Sequence, residues 1–351
     1  MRGDRLIDIP QNDHNIDESY MITAGKFRRY HGEGIRQLLN LRIQYLNLRD
    51  GFRIIIGLWQ SWRLLGRIRP DVVFTRGGFV SVPVALSSRL RRIPFITHDS
   101  DSTPSLANRI IAPWATLHAV ALPVQYYPYP ETKTVCVGVP ISAEYKPVSK
   151  EVMHSLRTGL GLSGFEYVIC VTGGGNGAKK LNDIFIDNAR FLLKQYPNMA
   201  IIHIAGRSLA DDVSKAYAGW LSPNDRSRVI VKDYVTDLYR YSGAADIIIA
   251  RGGATNLAEF ATQHKACIII PSPQLIWNVK NTQTLADVNA IIMLSEDQAE
   301  HERRMAYTIA GLIDNPKTRE ELANKFAQFS KPNATTDLVK LILSVADKNR
   351  S

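Results

Sequence analysis

Cysteine is scarce: the 351 residues hold three, Cys136, Cys170 and Cys267, far apart and each in an apolar run. That placement excludes a disulfide scaffold and a zinc knuckle, and it reads as small buried strand residues in a reducing cytoplasm. Long apolar runs are missing too. The longest charge-free one near the N-terminus, Ile54–Trp62, falls far short of the roughly 18 residues a spanning helix needs. No secretory leader is expected at Met1. Low-complexity tracts and short-period repeats are absent. With 45% hydrophobic and 22% charged residues, collagen and extended disorder are excluded. At about 150 residues per domain, the length predicts two globular domains.

Acidic residues are sparse in one region. The whole chain has 43 Lys plus Arg against 33 Asp plus Glu, a formal +10. Between Met21 and Arg109 there are 15 basic and 5 acidic residues, so this segment alone carries an excess equal to that of the chain. Such a field attracts phosphates, on lipid headgroups or on nucleic acid. Within it, Leu38–Ile68 interleaves Leu, Ile, Trp and Tyr with arginines and a single aspartate. An apolar stripe flanked by arginine suits an interfacial helix on an anionic membrane. A core-facing helix with a solvated basic face is the plainer alternative. With no recognised RNA-binding module in view, no nucleic-acid partner is expected.

From Pro70 onward, strand, turn and helix alternate. Asp71–Gly78 reads as a strand ending in glycines, Val80–Arg92 as a helix and Pro94–Asp101 as the next strand. After a linker at Pro140–Pro147, strands are expected at Tyr167–Gly175, Ala200–Arg207, Arg228–Tyr234, Asp246–Gly253 and Ala266–Pro273, with a helix from about Ala178. This is α/β alternation, and two Rossmann-like domains in tandem are predicted. The expected boundaries are 1–142 and 148–332, with a final helix at 334–351 packing back on the first domain. Open α/β sheets place ligands at the carboxyl ends of their strands, so the turns there carry the chemistry.

The sharpest motif is Val168–Asn182, a buried strand running into Gly173, Gly174, Gly175, Asn176 and Gly177 before a helix. Glycines let backbone N–H groups approach a diphosphate, and the helix N-terminus adds a favourable dipole. Gly173, Gly175 and Ala178 also satisfy G-x-G-x-x-A, and Arg207 after the next strand suits a 2′-phosphate, so an NADP site and a bare structural turn are rival readings. The second motif, Ala250–Ala261, repeats the design. Gly252, Gly253 and Ala254 open the turn, Thr255 and Asn256 are expected to cap the helix, and Glu259 is placed either to accept ribose hydroxyls or to serve a cap. Two such turns suit a nucleoside diphosphate sugar.

In order, Ala24–Tyr30 (AGKFRRY), Pro70–Pro83, Pro94–Arg109, Gly173–Asn182 and Ala250–Glu259 resemble the MurG family of glycosyltransferase family 28. The resemblance runs from about residue 20 to the end, with AGKFRRY its most specific element. It implies a GT-B fold, two Rossmann-like domains facing a central cleft. The implied activity is inverting transfer of N-acetylglucosamine from UDP-N-acetylglucosamine to an undecaprenyl-pyrophosphate-linked muramyl peptide in peptidoglycan synthesis. No cofactor or essential metal is implied. The expected location is peripheral, at the cytoplasmic face of the cell membrane. Carried over by motif, Gly174, Gly175, Asn176 and Gly177 face the diphosphate and Val235 lies near uracil. Ala254, Thr255, Asn256, Leu257, Ala258 and Glu259 contact nucleoside and phosphate, Glu259 at the ribose. Asn278 stands where the family has the glutamine that reads the sugar, and Asn281 is kept.

The departures are specific. The family's first strand, GGTGGH loop and first helix have no counterpart, and Met1 aligns near the end of the second family strand, so a shortened start is expected. Gly175 and Asn176 replace Ser and Gln; Asp99, Ser100 and Asp101 replace E-Q-N; Val139 and Ser142 replace the Asn and Arg of G-N-P-x-R. Inverting transfer needs a base for the acceptor hydroxyl. His98 and Asp101 are the candidates, with turn capping as their plainer role. Asp99-Ser100-Asp101 also spells a D-x-D metal motif, without further ligands nearby. A donor-binding protein that has lost catalysis, and a family 28 enzyme acting on another glycolipid, are the alternative functions.

Overall fold

A computed structural model describes residues 16–25 and 41–350. Most of AGKFRRY, from Lys26 onward, lies outside the described residues. The chain divides into two compact units, one of residues 1–98, 105–118 and 342–351, the other of 99–104 and 119–341.

The first unit opens on a long helix, α1 (Leu41–Ile68). Its 28 residues span about 42 Å at 1.5 Å per residue. Asp50, Gly57, Ser61 and Leu65 lie on its buried side, where the Leu58 carbonyl accepts from Ser87 Oγ at 2.9 Å. The opposite side carries Tyr45, Leu48, Phe52, Ile55, Trp59 and Trp62, all exposed. Their spacing of three and four residues lines them on one face. The apolar stripe therefore faces outward, while the other side of the helix packs inward. No helix among the described residues is long and apolar enough to cross a membrane.

Strand β1 (Val73–Thr75) leads to α2 (Ser81–Leu90) and β2 (Phe95–Asp99). Pro83 is tolerated because it falls in the first turn of α2, where its missing N–H has no partner to lose. Then come α3 (Leu106–Ile111), β3 (Leu117–Val120) and β4 (Thr134–Cys136). The four strands form one sheet in the order β1-β2-β3-β4. Strands β1 and β2 are parallel, with Val73 opposite Phe95 and Thr75 opposite Thr97. Ala85, Phe95, Ile111 and Ala115 form the small core of this unit.

The second unit contains α4 (Lys150–Gly159), β5 (Tyr167–Thr172), α5 (Lys179–Gln195), β6 (Met199–Ile204), α6 (Ala210–Ala218) and β7 (Val229–Lys232). It continues with α7 (Leu238–Ala244), β8 (Ile247–Ala250), α8 (Ala254–Thr262), β9 (Ala266–Ile269), α9 (Ile276–Ala286) and β10 (Ile292–Met293). Helices α10 (Glu296–Glu300), α11 (Arg304–Asp314) and α12 (Pro316–Ala327) follow. The last helix, α13 (Ala334–Arg350), ends in the first unit, where Asn349 Nδ2 and Arg350 Nη2 both reach Asp71.

The six parallel strands of the second sheet run β10-β9-β8-β5-β6-β7. Strands β6, β8 and β9 are buried throughout, which is why β8 and β9 read as unbroken apolar runs, and β6 as one interrupted only by His203, and not as alternating ones. Cys170 and Cys267 are buried and free in β5 and β9, while Cys136 in β4 is only half-buried. The chain runs outward from β5 through β6 to β7, then returns to β8 on the other flank of β5. The switch point therefore falls between β5 and β8, where α/β sheets open a crevice for ligands. Both glycine turns leave the sheet there, since Thr172 pairs with Ala250 at the strand ends.

Candidate donor site

The turn after β5 is built by backbone crowding. Gly177 has φ +75°, and a Cβ there would stand 2.2 Å from the Ala205 carbonyl oxygen; the facing Gly206, φ +100°, would strike Gly177 Cα at 2.2 Å. Only glycine at both positions lets the two turns interlock. Gly206 N–H in turn donates to the Asp233 carbonyl at 2.7 Å, while Val235 packs against the core. Helix α5 starts after Ala178 with no side-chain cap, which leaves its first N–H groups free for an anion. Gly174, with φ +87°, Gly175 and Asn176 belong to the loop between β5 and α5.

The turn after β8 is equally tight on one side. A Cβ on Gly252 would lie 2.2 Å from Thr282 Oγ1 and 2.5 Å from the Asn278 carbonyl oxygen of α9. Gly253 itself is the N-cap of α8, and no side chain caps it. Thr255 and Asn256 are therefore not caps: the helix begins at Ala254, and they fall inside its first turn. Glu259 is six residues into α8 and is no cap either. Burial raises its carboxyl to about 7, against a lowering influence of the facing Tyr145 phenol. Tyr145 is buried and meets Tyr239 edge-on, ring centres 6.1 Å apart.

Asn281, buried on α9, joins three segments. Its Nδ2 donates to Asp101 Oδ1 at 2.8 Å and to the Gly252 carbonyl at 3.2 Å, and its Oδ1 accepts from Ser102 N–H at 2.7 Å. The Asp101 carboxyl is raised above its ordinary value, chiefly by burial. Asn278, also buried, lies one turn earlier on the same helix. Asp99 instead accepts from Tyr129 Oη at 2.8 Å. Among the described residues no three His, Cys, Asp or Glu side chains are grouped to hold a metal.

His98 stands apart from this cluster. It is wholly buried in β2, its ring 6.2 Å from that of Phe74 and its carbonyl accepting from Asn108 Nδ2 at 3.0 Å. The imidazole is enclosed, in contrast to the half-buried Asp101 carboxyl. His203 is structural as well, bonded to Tyr217 Oη and Asn182 Oδ1 and pushed down to about 3 by burial. Tyr145 and Tyr234 carry no motif in the sequence; each meets its partner across a sequence gap that no local pattern spans.

Two parallel Rossmann-like sheets, the second with paired glycine turns at its switch point, define a class of nucleotide-sugar enzymes. The chain belongs to glycosyltransferase family 28, matching the family's N-terminal domain over residues 8–120 and its C-terminal domain over 168–338. Two curated relatives carry the name UDP-N-acetylglucosamine–N-acetylmuramyl-(pentapeptide) pyrophosphoryl-undecaprenol N-acetylglucosamine transferase. The one from Geobacillus thermodenitrificans is 32% identical over 72% of this chain and 64% of its own length. The one from Natranaerobius thermophilus is 27% identical over 89% and 83%. The fold is similar to the crystal structure of Acinetobacter baumannii MurG, with TM-score 0.66 and 24% identity, covering 84% of this chain and 80% of that one.

Proposed function

We propose that this chain transfers N-acetylglucosamine from UDP-N-acetylglucosamine to an undecaprenyl-pyrophosphate-linked muramyl peptide, as the names of its relatives describe for them. The observation that carries the reading is the adjacency of two uncapped helix starts, α5 and α8, behind glycine turns on neighbouring strands. Both positive helix ends then converge on one diphosphate, stabilising it as the leaving group. In this reading Gly174 to Gly177 hold the diphosphate, Val235 the base, Ala254 to Glu259 the nucleoside and phosphate, and Asn278 with Asp101 the sugar. Asp101 receives the acceptor proton as the hydroxyl oxygen attacks the anomeric carbon and the bond to UDP breaks. Residues 1–142 form the acceptor domain and 148–332 the donor domain.

The outward stripe of α1 supports peripheral attachment at the cytoplasmic face. Trp59 and Trp62 enter the headgroup boundary while Arg53, Arg63 and Arg67, exposed on the same helix, meet lipid phosphate. The test is turnover of UDP-N-acetylglucosamine with a lipid-linked muramyl acceptor, beside calorimetry with UDP. Release of UDP coupled to a glycosylated lipid is expected. Binding without transfer would favour the non-catalytic alternative, and no heat with UDP from folded protein would refute the reading.

A further inference from the structure

Arg207 follows β6 at the rim of the glycine loop, and the structure turns it away from a lone exposed position. Its backbone N–H points to the Gly175 carbonyl at 3.5 Å. Its guanidinium carbon stands 4.0 Å from the centre of the Tyr234 ring. The edge of that same ring comes within 3.2 Å of where a Cβ on Gly175 would be. Glycine loop, tyrosine ring and guanidinium thus lie against one another in that order. Gly175 has no side chain to offer a ligand, and Tyr234 fills the space one would need.

The charges around the loop sharpen the point. Both lysines that open α5 are paired with carboxylates, Lys179 with Asp183 at 2.7 Å and Lys180 with Glu300 at 2.5 Å. At the neighbouring turn Arg251 is bound to Glu296 at 2.6 Å. Arg207 forms no salt bridge among the described residues, and its side chain is exposed. Stacking on an aromatic face orders a guanidinium without using its N–H donors, which stay available in a planar fork matched to phosphate oxygens.

We propose that Arg207, carried on Tyr234, is the cation that binds the diphosphate of the donor at the glycine loop. The proposal rests on the donor reading above and adds to it the residue that recognises phosphate charge. As the sugar–phosphate bond breaks, negative charge grows on the diphosphate, and a charge-assisted contact to Arg207 strengthens with it.

The test is calorimetry on the full chain with UDP, uridine and NADPH, for wild type, Arg207→Gln, Arg207→Lys and Tyr234→Leu. Loss of about ten-fold or more in UDP affinity is expected for Arg207→Gln, with uridine affinity unchanged. Arg207→Lys, which keeps the charge but not the stacked fork, is expected to fall between, and Tyr234→Leu to weaken UDP more than uridine. Unchanged UDP affinity in Arg207→Gln overturns the proposal, as does an equal loss for UDP and uridine. A loss confined to NADPH overturns it too, assigning Arg207 to a 2′-phosphate. Wild-type protein that binds no UDP refutes the donor reading itself, whereas wild-type binding unaltered by Arg207→Gln refutes this inference alone.

Discussion

Gly252 and Gly253 are neighbours in sequence, yet replacing each with alanine should have opposite consequences. At Gly252 the new methyl would lie 2.5 Å from the Asn278 carbonyl oxygen, a backbone atom, and 2.2 Å from Thr282 Oγ1. Thr282 is itself tied to that carbonyl at 2.7 Å, so neither neighbour swings aside cheaply. Helix α9 must move back, at the cost of an overpacked contact, about 1–3 kcal/mol. At Gly253 nothing lies within 4 Å of the added Cβ, and φ is −73°. Reduced freedom of the unfolded chain favours alanine by about 0.4–1 kcal/mol. Alanine is a poorer N-cap than glycine by a comparable amount, roughly 0.5–1 kcal/mol, so the two terms nearly cancel. Paired thermal melts should show Gly252→Ala lowered by roughly 2–12 °C at about 2–4 °C per kcal/mol, with Gly253→Ala within a degree or two of wild type. UDP titrations should show the same contrast, because the displaced α9 and α8 frame the turn. Equal melting points for the two variants would refute the claim that close backbone approach requires the first glycine.

Three further outcomes follow from particular contacts. Burial raises the Glu259 carboxyl to about 7; in the proposed role at the ribose it would accept hydroxyls best as a carboxylate, so UDP affinity should rise from pH 6 to pH 8, and calorimetry on Glu259→Gln should find that slope abolished. The buried pair Arg157–Asp246, 2.6 Å apart and each about 10% exposed, should cost about 3–5 kcal/mol when Asp246→Ala strands the guanidinium, measurable by urea unfolding. Trp59→Ser with Trp62→Ser should lower the melting point only slightly, because both rings are about half-exposed and lose only surface stacking on Arg63 and Arg91, while reducing sedimentation with anionic vesicles several-fold; undiminished vesicle binding would count against the proposed membrane role of α1.

Much of the fold was legible residue by residue. Ile247–Ala250 and Ala266–Ile269 are short apolar runs between turn signals, and a strand buried on both faces has no other composition available. The start of α5 after the glycine loop was similarly local, whereas β5 stops at Thr172, short of the expected end at Gly175. Helix capping at α8 was misread because Thr255 and Asn256 are good caps by type, and only the backbone shows that the helix has already begun at Ala254. The burial of His98 was not legible, because sequence places it at a strand end without revealing that Phe74 and the packed sheet enclose it.

The division has one physical origin. Periodicity, turn chemistry and glycine placement act over a few residues, so the chain by itself determined two α/β units, the two glycine turns and a long amphipathic helix rich in arginine. Strand order, by contrast, is a choice among long-range pairings. Only the tertiary structure put β8 beside β5, and with it the two turns at one switch point. The same holds for Asn281 clasping Asp101 and Gly252, and for Arg207 lying on Tyr234: each contact joins residues that no local pattern connects, and only the assembled fold makes them neighbours.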